Sequence, residues 1–239
     1  MSAIRAVETT HHFLDWLSFF AIVTTVCLFL TGLEICWRIK SKRTTDGVSS
    51  APFHMGFVSG QLWLQYGLLR ENKTIITVNS VASLLYSCYL LFYFIMAPSA
   101  TKKRCIKLIF LEVLFLISVH YYVYYYGLPV EDARSHLGLC CMVFNVFSVA
   151  SPLEALREVF RTRCTETMPL PLCCFTFLVT MEWLLYGVLI DDFYIKVDQF
   201  VNLGVSVAQR YRITDCICTA HTFFLLSKKA IRAAMMSNM

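Results

Sequence analysis

Seven apolar runs, 13–37, 51–69, 75–97, 106–127, 136–157, 169–190 and 194–209, follow one another with only short connections. A membrane span needs about 20 mostly apolar residues. The pattern therefore predicts an all-α polytopic membrane protein and leaves no room for an independent soluble domain. Composition agrees: 57% of residues are hydrophobic, 15% are charged, and mean hydropathy is +0.60. A soluble domain carries about 25% charged residues to cover its surface, and this chain is far short of that. The net charge of +5 lies in short clusters between apolar runs, which excludes a basic nucleic-acid face.

Charge in the connections alternates. "RIKSKRTTDG" after the first run, "KKRCIK" after the third and "REVFRTRCTE" after the fifth are basic. The second connection is nearly neutral, the fourth slightly acidic, and the sixth, "DDFYIKVD", acidic. Basic connections face the cytoplasm, so the N-terminus is predicted outside, the 227–239 tail inside, and the number of spans odd. Residues up to His12 are polar, and no small-residue cleavage site follows the first run, which reads as a retained helix. Of the eleven cysteines, Cys88, Cys140, Cys141, Cys173 and Cys174 are among those that sit inside apolar runs. They read as buried free thiols rather than metal ligands or disulfides. No Ser/His/Asp set, metal cluster or phosphate-cradling glycine loop can be assembled, so neither an enzyme nor a cofactor is expected.

The chain also repeats itself. "LWLQYG" at Leu62 to Gly67 returns as "EWLLYG" at Glu182 to Gly187, and sliding residues 33–81 onto 153–201 without a gap makes twelve of 49 positions identical. Trp63 meets Trp183, Tyr66 meets Tyr186, Gly67 meets Gly187 and Thr45 meets Thr165. Two copies of a three-helix unit, 13–97 and 136–226, separated by one helix at 106–127, explain both the repeat and the odd count. Three helices have odd parity, so the extra helix restores the orientation and makes the repeats parallel, a known transporter plan. A seven-helix receptor shares the predicted topology but not the repeat.

"WRIKSKRTTDGVSSAPF", "WLQYGLLRENKTIITVN", "ASPLEALREVFRTRCTETMPLPL" and "WLLYGVLIDDFYIKV" resemble the SWEET (MtN3/saliva) sugar transporters in their animal form, over about residues 15–200. The resemblance implies a 3+1+3 helix architecture and facilitative, bidirectional sugar uniport by alternating access, without ATP, coupling ion or cofactor. It also implies homo- or hetero-oligomers and residence in the plasma membrane or Golgi. A sugar offers apolar C–H faces and a hydroxyl rim, so its site wants flat aromatic walls and side-chain amides. Asn79 matches the family's sugar-facing asparagine in the third helix. Gln199 stands at the equivalent register in "VDQF", where the family usually has Pro-Asn. Trp183 corresponds to the family's stacking aromatic, and Trp63 is its repeat partner. Four helices of the family carry a proline that acts as a rocking point. Here Pro52, Pro152 and Pro171 occupy three of these places and Gly32 the fourth, although proline also favours a helix start.

Glu34 and Glu154 lie close to basic ends, where pairing or snorkelling accounts for them. Glu112 and Glu182 are deeper and are candidates for a coupling role, since intramembrane carboxylates are costly. Asn72-Lys73-Thr74 is a glycosylation sequon squeezed between two membrane ends. The last span departs from the pattern: "RYRITDC" places Arg210, Arg212 and Asp215 where apolar residues belong. This keeps a second class in play, a non-transporting relative that pairs with and modulates an intact transporter.

Overall fold

The two glycine-terminated hexapeptides sit in matching helical hairpins. The computed structural model describes residues 2–148 and 170–207. Its helices are α1 (Ser2–Leu30), α2 (Gly32–Lys42), α3 (Ala51–Leu69), α4 (Lys73–Met96), α5 (Ser99–Tyr125), α6 (Val130–Ser148), α7 (Leu170–Leu189) and a further stretch, α8 (193–207). Among the described residues there is no strand. Over the described residues each of the seven apolar runs falls largely on helix, and the first is shared by α1 and α2.

The hairpins α3–α4 and α7–α8 are built bond for bond alike. Arg70 N–H donates to the Tyr66 carbonyl and Ile190 N–H to that of Tyr186, both at 3.0 Å. Asn72 N–H donates to Gly67 O at 3.0 Å and Asp192 N–H to Gly187 O at 2.9 Å. Glu71 and Asp191 take the left-handed conformation, with φ of 51° and 53°, an arrangement that costs a non-glycine residue about 1 kcal/mol. A Cβ on Gly67 would lie 2.9 Å from Cγ2 of Ile75, and one on Gly187 would lie 2.8 Å from Cγ2 of Ile195. Glycine is needed at both places so that the following helix can fold back this closely. Asn72 Oδ1 then accepts from Ile75 N–H at 3.0 Å, and Asp192 Oδ1 from Ile195 N–H at 3.1 Å, each capping the next helix.

Packing crosses between the two copies. α1 packs on α4 and on α7, and α3 packs on α4, α6 and α5. One core cluster joins both hairpins, with Leu62, Trp63, Tyr66, Trp183, Tyr186 and Ile195 among its buried members. A second, around Phe53, Tyr89 and Tyr93, binds α2, α3 and α4 at their other end. The outward faces remain apolar: Phe110, Ile117, Tyr121 and Tyr125 of α5 are exposed. Continuous apolar surface of this kind requires lipid. His12–Lys42, Lys73–Met96 and Ser99–Tyr125 are each long and apolar enough to cross a membrane, and Cys174–Leu189 is a shorter apolar helix. The chain is an all-α membrane protein.

Three details differ from the sequence reading. α1 begins at Ser2 rather than at 13, because no glycine or proline interrupts "SAIRAVETTHH" and helix formation does not require an apolar face there. The first span also breaks near Thr31. Thr31 N–H and Oγ1–H both turn to the Leu28 carbonyl, at 3.1 and 2.7 Å, and Glu34 N–H to the Thr31 carbonyl at 3.1 Å, a tightening of the helix by one residue. Finally, of the cysteines read as buried thiols, Cys141 is buried, Cys140 and Cys174 are half-buried and Cys88 faces outward, while Cys36 and Cys105 are buried as well.

Candidate functional site

Trp63 and Trp183 occupy the same core cluster, and each is only 8% exposed. Each meets the tyrosine three residues on edge to face, Trp63 with Tyr66 at 5.5 Å and 85° and Trp183 with Tyr186 at 5.5 Å and 79°. Trp183 also reaches the other copy: its Nε1–H donates to Oγ1 of Thr25 at 2.8 Å. Beside it Thr24 Oγ1–H donates to Glu182 at 2.5 Å. α7 is therefore tied to α1 by polar bonds within an apolar contact. Glu182, a sequence candidate for coupling, is partnered by a hydroxyl here.

The two candidate amides each bond within their own helix. Asn79 Nδ2–H donates to the Ile75 carbonyl at 2.9 Å, and Gln199 Nε2–H to Asp198 Oδ2 at 3.0 Å. Asp198 draws in more. The same oxygen accepts from Asn145 Nδ2 at 3.1 Å and from Asn202 Nδ2 at 3.3 Å, while Asn145 Oδ1 accepts from Ser59 Oγ–H at 2.8 Å. This chain of polar contacts runs from α8 through α6 to α3. Sequence reasoning missed Asp198, Asn145 and Ser59 as members of it. Asn145 stands 120 residues after Thr25, so both first helices offer a polar side chain to the second helix of the other copy. That offset was the available signal.

At the turn end the hairpins grip each other. Tyr66 O–H donates to Asp192 Oδ2 at 2.8 Å. Its repeat mate Tyr186 exchanges bonds with Asn72, donating to Oδ1 at 3.0 Å and accepting from Nδ2 at 2.8 Å. Asn72 and Asp192 are themselves repeat mates, so each copy's tyrosine reaches the helix cap of the other. Arg70 Nε lies 3.1 Å from Asp192 Oδ2 and makes that side charge-assisted. The sequon's Asn72 has both ends of its amide engaged. On the exposed loop Lys196, 2.6 Å from Asp191, holds that carboxyl below the usual carboxylate range.

The opposite end holds a buried pair that the sequence did not reveal. His54 Nδ1 of α3 lies 2.9 and 3.0 Å from the two carboxylate oxygens of Glu112 in α5. Glu112, the other coupling candidate, is thus engaged in joining two helices. Among the four hinge candidates, Gly32 stands at the break between α1 and α2. A Cβ there would come within 2.5 Å of the Tyr89 ring, whose hydroxyl donates to the Phe29 carbonyl at 3.2 Å. Pro52 is the second residue of α3, whose N-cap is Ser50, and there a proline removes no helical hydrogen bond. Pro171 lies in α7 at the edge of the described residues. Pro152 lies outside the described residues, as do Glu154, Arg210, Arg212 and Asp215. Among the described residues no group of three or more His, Cys, Asp or Glu could hold a metal.

The family model described as sugar efflux transporter for intercellular exchange matches residues 15–101 and 135–212, two segments whose starts are 120 residues apart. Sugar transporter SWEET1 of Drosophila pseudoobscura pseudoobscura is 34% identical over 199 residues, 82% of this chain and 86% of the fly protein. SWEET1 of Danio rerio is 33% identical over 82% of this chain and 88% of its own length, and that of Homo sapiens 33% over 81% and 87%. A solved eukaryotic SWEET transporter superposes with a TM-score of 0.78 at 24% identity, covering 86% of this chain and 99% of that one. At this identity the likeness speaks for the fold. A model matched once in each copy of the duplication, and animal relatives aligned along four-fifths of its length, lead to one placement: the chain belongs to the SWEET (MtN3/saliva) family of transporters, not to an enzyme family.

Proposed function

We propose that this protein carries sugars across a membrane as a facilitative, bidirectional uniporter working by alternating access. The observation that carries the reading is the reciprocal grip of Tyr66 on Asp192 and Tyr186 on Asn72. A closure made of repeat mates, one from each copy, suits a molecule in which two like halves rock against each other around a site near the midplane. In this reading the halves are 13–97 and 136–226, joined by the 106–127 helix, with the N-terminus outside and the 227–239 tail in the cytoplasm. The turn end is then the outer closure. The relatives' names supply the substrate class, and the chemistry suits it: indole walls from Trp63 and Trp183, amides from Asn79 and Gln199, and no ion or ATP needed. Gly32, at the Thr31 break, and Pro52, Pro152 and Pro171 serve as pivots. Placement in the plasma membrane or Golgi, as homo- or hetero-oligomers, completes the proposal.

Radiolabelled glucose, fructose and trehalose uptake into liposomes holding the purified chain tests it. Uptake of at least one sugar, abolished by Asn79→Ala in a chain that still folds, is the expected result. The charged stretch at Arg210, Arg212 and Asp215 favours one rival, the non-transporting partner of an intact relative. No uptake alone, with a changed rate when the chain is incorporated beside such a relative, would establish that rival instead.

A further inference from the structure

The amide orientations in the central site are forced by their partners. A backbone carbonyl only accepts, so Asn79 must turn its NH2 toward Ile75 O. Gln199, Asn145 and Asn202 each turn their NH2 toward Asp198 Oδ2, which accepts from all three. Asp198 is 2% exposed, as is its repeat mate Val78, so the second copy buries a carboxyl group where the first buries a hydrophobe. Such a group is costly in a bilayer unless its hydrogen bonds are supplied, and these amides supply them. Asn145 then spends its oxygen on Ser59. Asn79 Oδ1 and Gln199 Oε1 accept no bond among the described residues. Neither is one of the buried unpartnered polar atoms, which are His54 Nε2 and Ser83 Oγ. Neither carbonyl oxygen is therefore fully enclosed by protein.

We infer that Asp198 is a positioning residue that makes the sugar site acceptor-rich, so that the substrate is selected for the hydroxyl protons it donates rather than for the lone pairs it offers. The inference rests on the sugar-transport reading and on Asn79 and Gln199 facing the substrate. With one N–H of each amide held, its oxygen keeps two lone pairs against one remaining N–H, so acceptors outnumber donors. A hydroxyl replaced by hydrogen loses both its donor and its acceptor, whereas one replaced by fluorine loses the donor and keeps a weak acceptor. In this site both replacements are equally harmful.

The test uses the full chain in liposomes. Of glucose, fructose and trehalose, the sugar carried fastest serves as parent. Its deoxy and deoxyfluoro analogues compete against labelled parent, in uptake and in equilibrium binding read by tryptophan fluorescence. At least one hydroxyl position is expected to show about a tenfold loss of affinity with either replacement, the size of one lost bond. In Asp198→Asn the new carboxamide both donates and accepts, which releases a neighbouring amide to turn. The deoxyfluoro penalty at that position is then expected to shrink to about threefold while the deoxy penalty persists, and Asp198→Glu is expected to keep the original pattern. Deoxyfluoro analogues that compete as well as the parent at every position overturn the inference while transport stands. An unchanged ratio of the two penalties in Asp198→Asn overturns it as well. If no sugar is bound or carried, the transport reading falls, and this inference with it. Should Asp198→Asn fail to fold, the analogue series on the unmodified chain still decides.

Discussion

Two glycines fix how closely each copy's second and third helices meet. At Gly67 and Gly187 the nearest obstacle to a methyl group is Cγ2 of a β-branched isoleucine, with the backbone N–H of the next residue just behind it. Neither can swing aside, so overpacking of about 1–3 kcal/mol is expected for Gly67→Ala or Gly187→Ala. A lowered thermal midpoint in detergent for both variants, without loss of helical signal, checks this. The caps give a second prediction. Asp192→Asn preserves the cap, since asparagine already plays that part at position 72, but neutralises the partner of Arg70. Loss of a charge-assisted bond, about 1.5–3 kcal/mol, is expected to speed labelling by an impermeant maleimide of a cysteine placed at Ser59, added from the turn side, by at least tenfold. Tyr186→Phe, which removes a neutral bond, should have the smaller effect. Equal labelling in all three proteins would dissociate these contacts from closure.

At the scale of helices, the linker α5 depends on polar contacts more than on apolar ones. Its outer face is lipid-exposed, and His54–Glu112 secures it to α3. A buried pair deprived of one partner leaves an uncompensated polar group, a loss of about 3–5 kcal/mol, whereas apolar replacement of both is close to neutral. His54→Leu and Glu112→Leu should each lower the thermal midpoint, and the double variant should recover most of the loss. Additive losses would show that the pair is not coupled. The elements themselves were legible in the sequence because a span must be long and apolar, and "TGLEI" marked the weak point of the first. His54–Glu112 was not legible, since nothing local in "APFHMG" or "FLEVLF" tells which distant helix each residue faces. The early start of α1 escaped for the opposite reason: outside lipid, helix needs no apolar periodicity.

Across the whole molecule, duplication made much of the candidate site readable. The 120-residue offset pointed to Trp63 and Trp183, and with the family resemblance to Asn79 and Gln199, without any contact information, and it carries further, to Thr25 with Asn145 and Asn72 with Asp192. What it could not show was divergence between the copies. Asp198 faces three amides where Val78 faces hydrophobes, and a repeat comparison registers only that two letters differ. The cross-linked polar chain from Ser59 to Asp198 spans residues 139 positions apart in the sequence, a relation set by helix packing alone.

The unequal pair at the turn end has a mechanical consequence. One fastening is neutral, Tyr186 with Asn72, and the other is an anion clasped by both Tyr66 and Arg70. Two equal fastenings would let the halves part along the midline. If the halves rock as proposed, a weak side and a strong side mean that the gap is expected to start at Asn72 and swing about Arg70, as a door turns on its jamb. Because Asp192 is almost fully buried, added salt screens this clasp only weakly, and the jamb is expected to hold at high ionic strength.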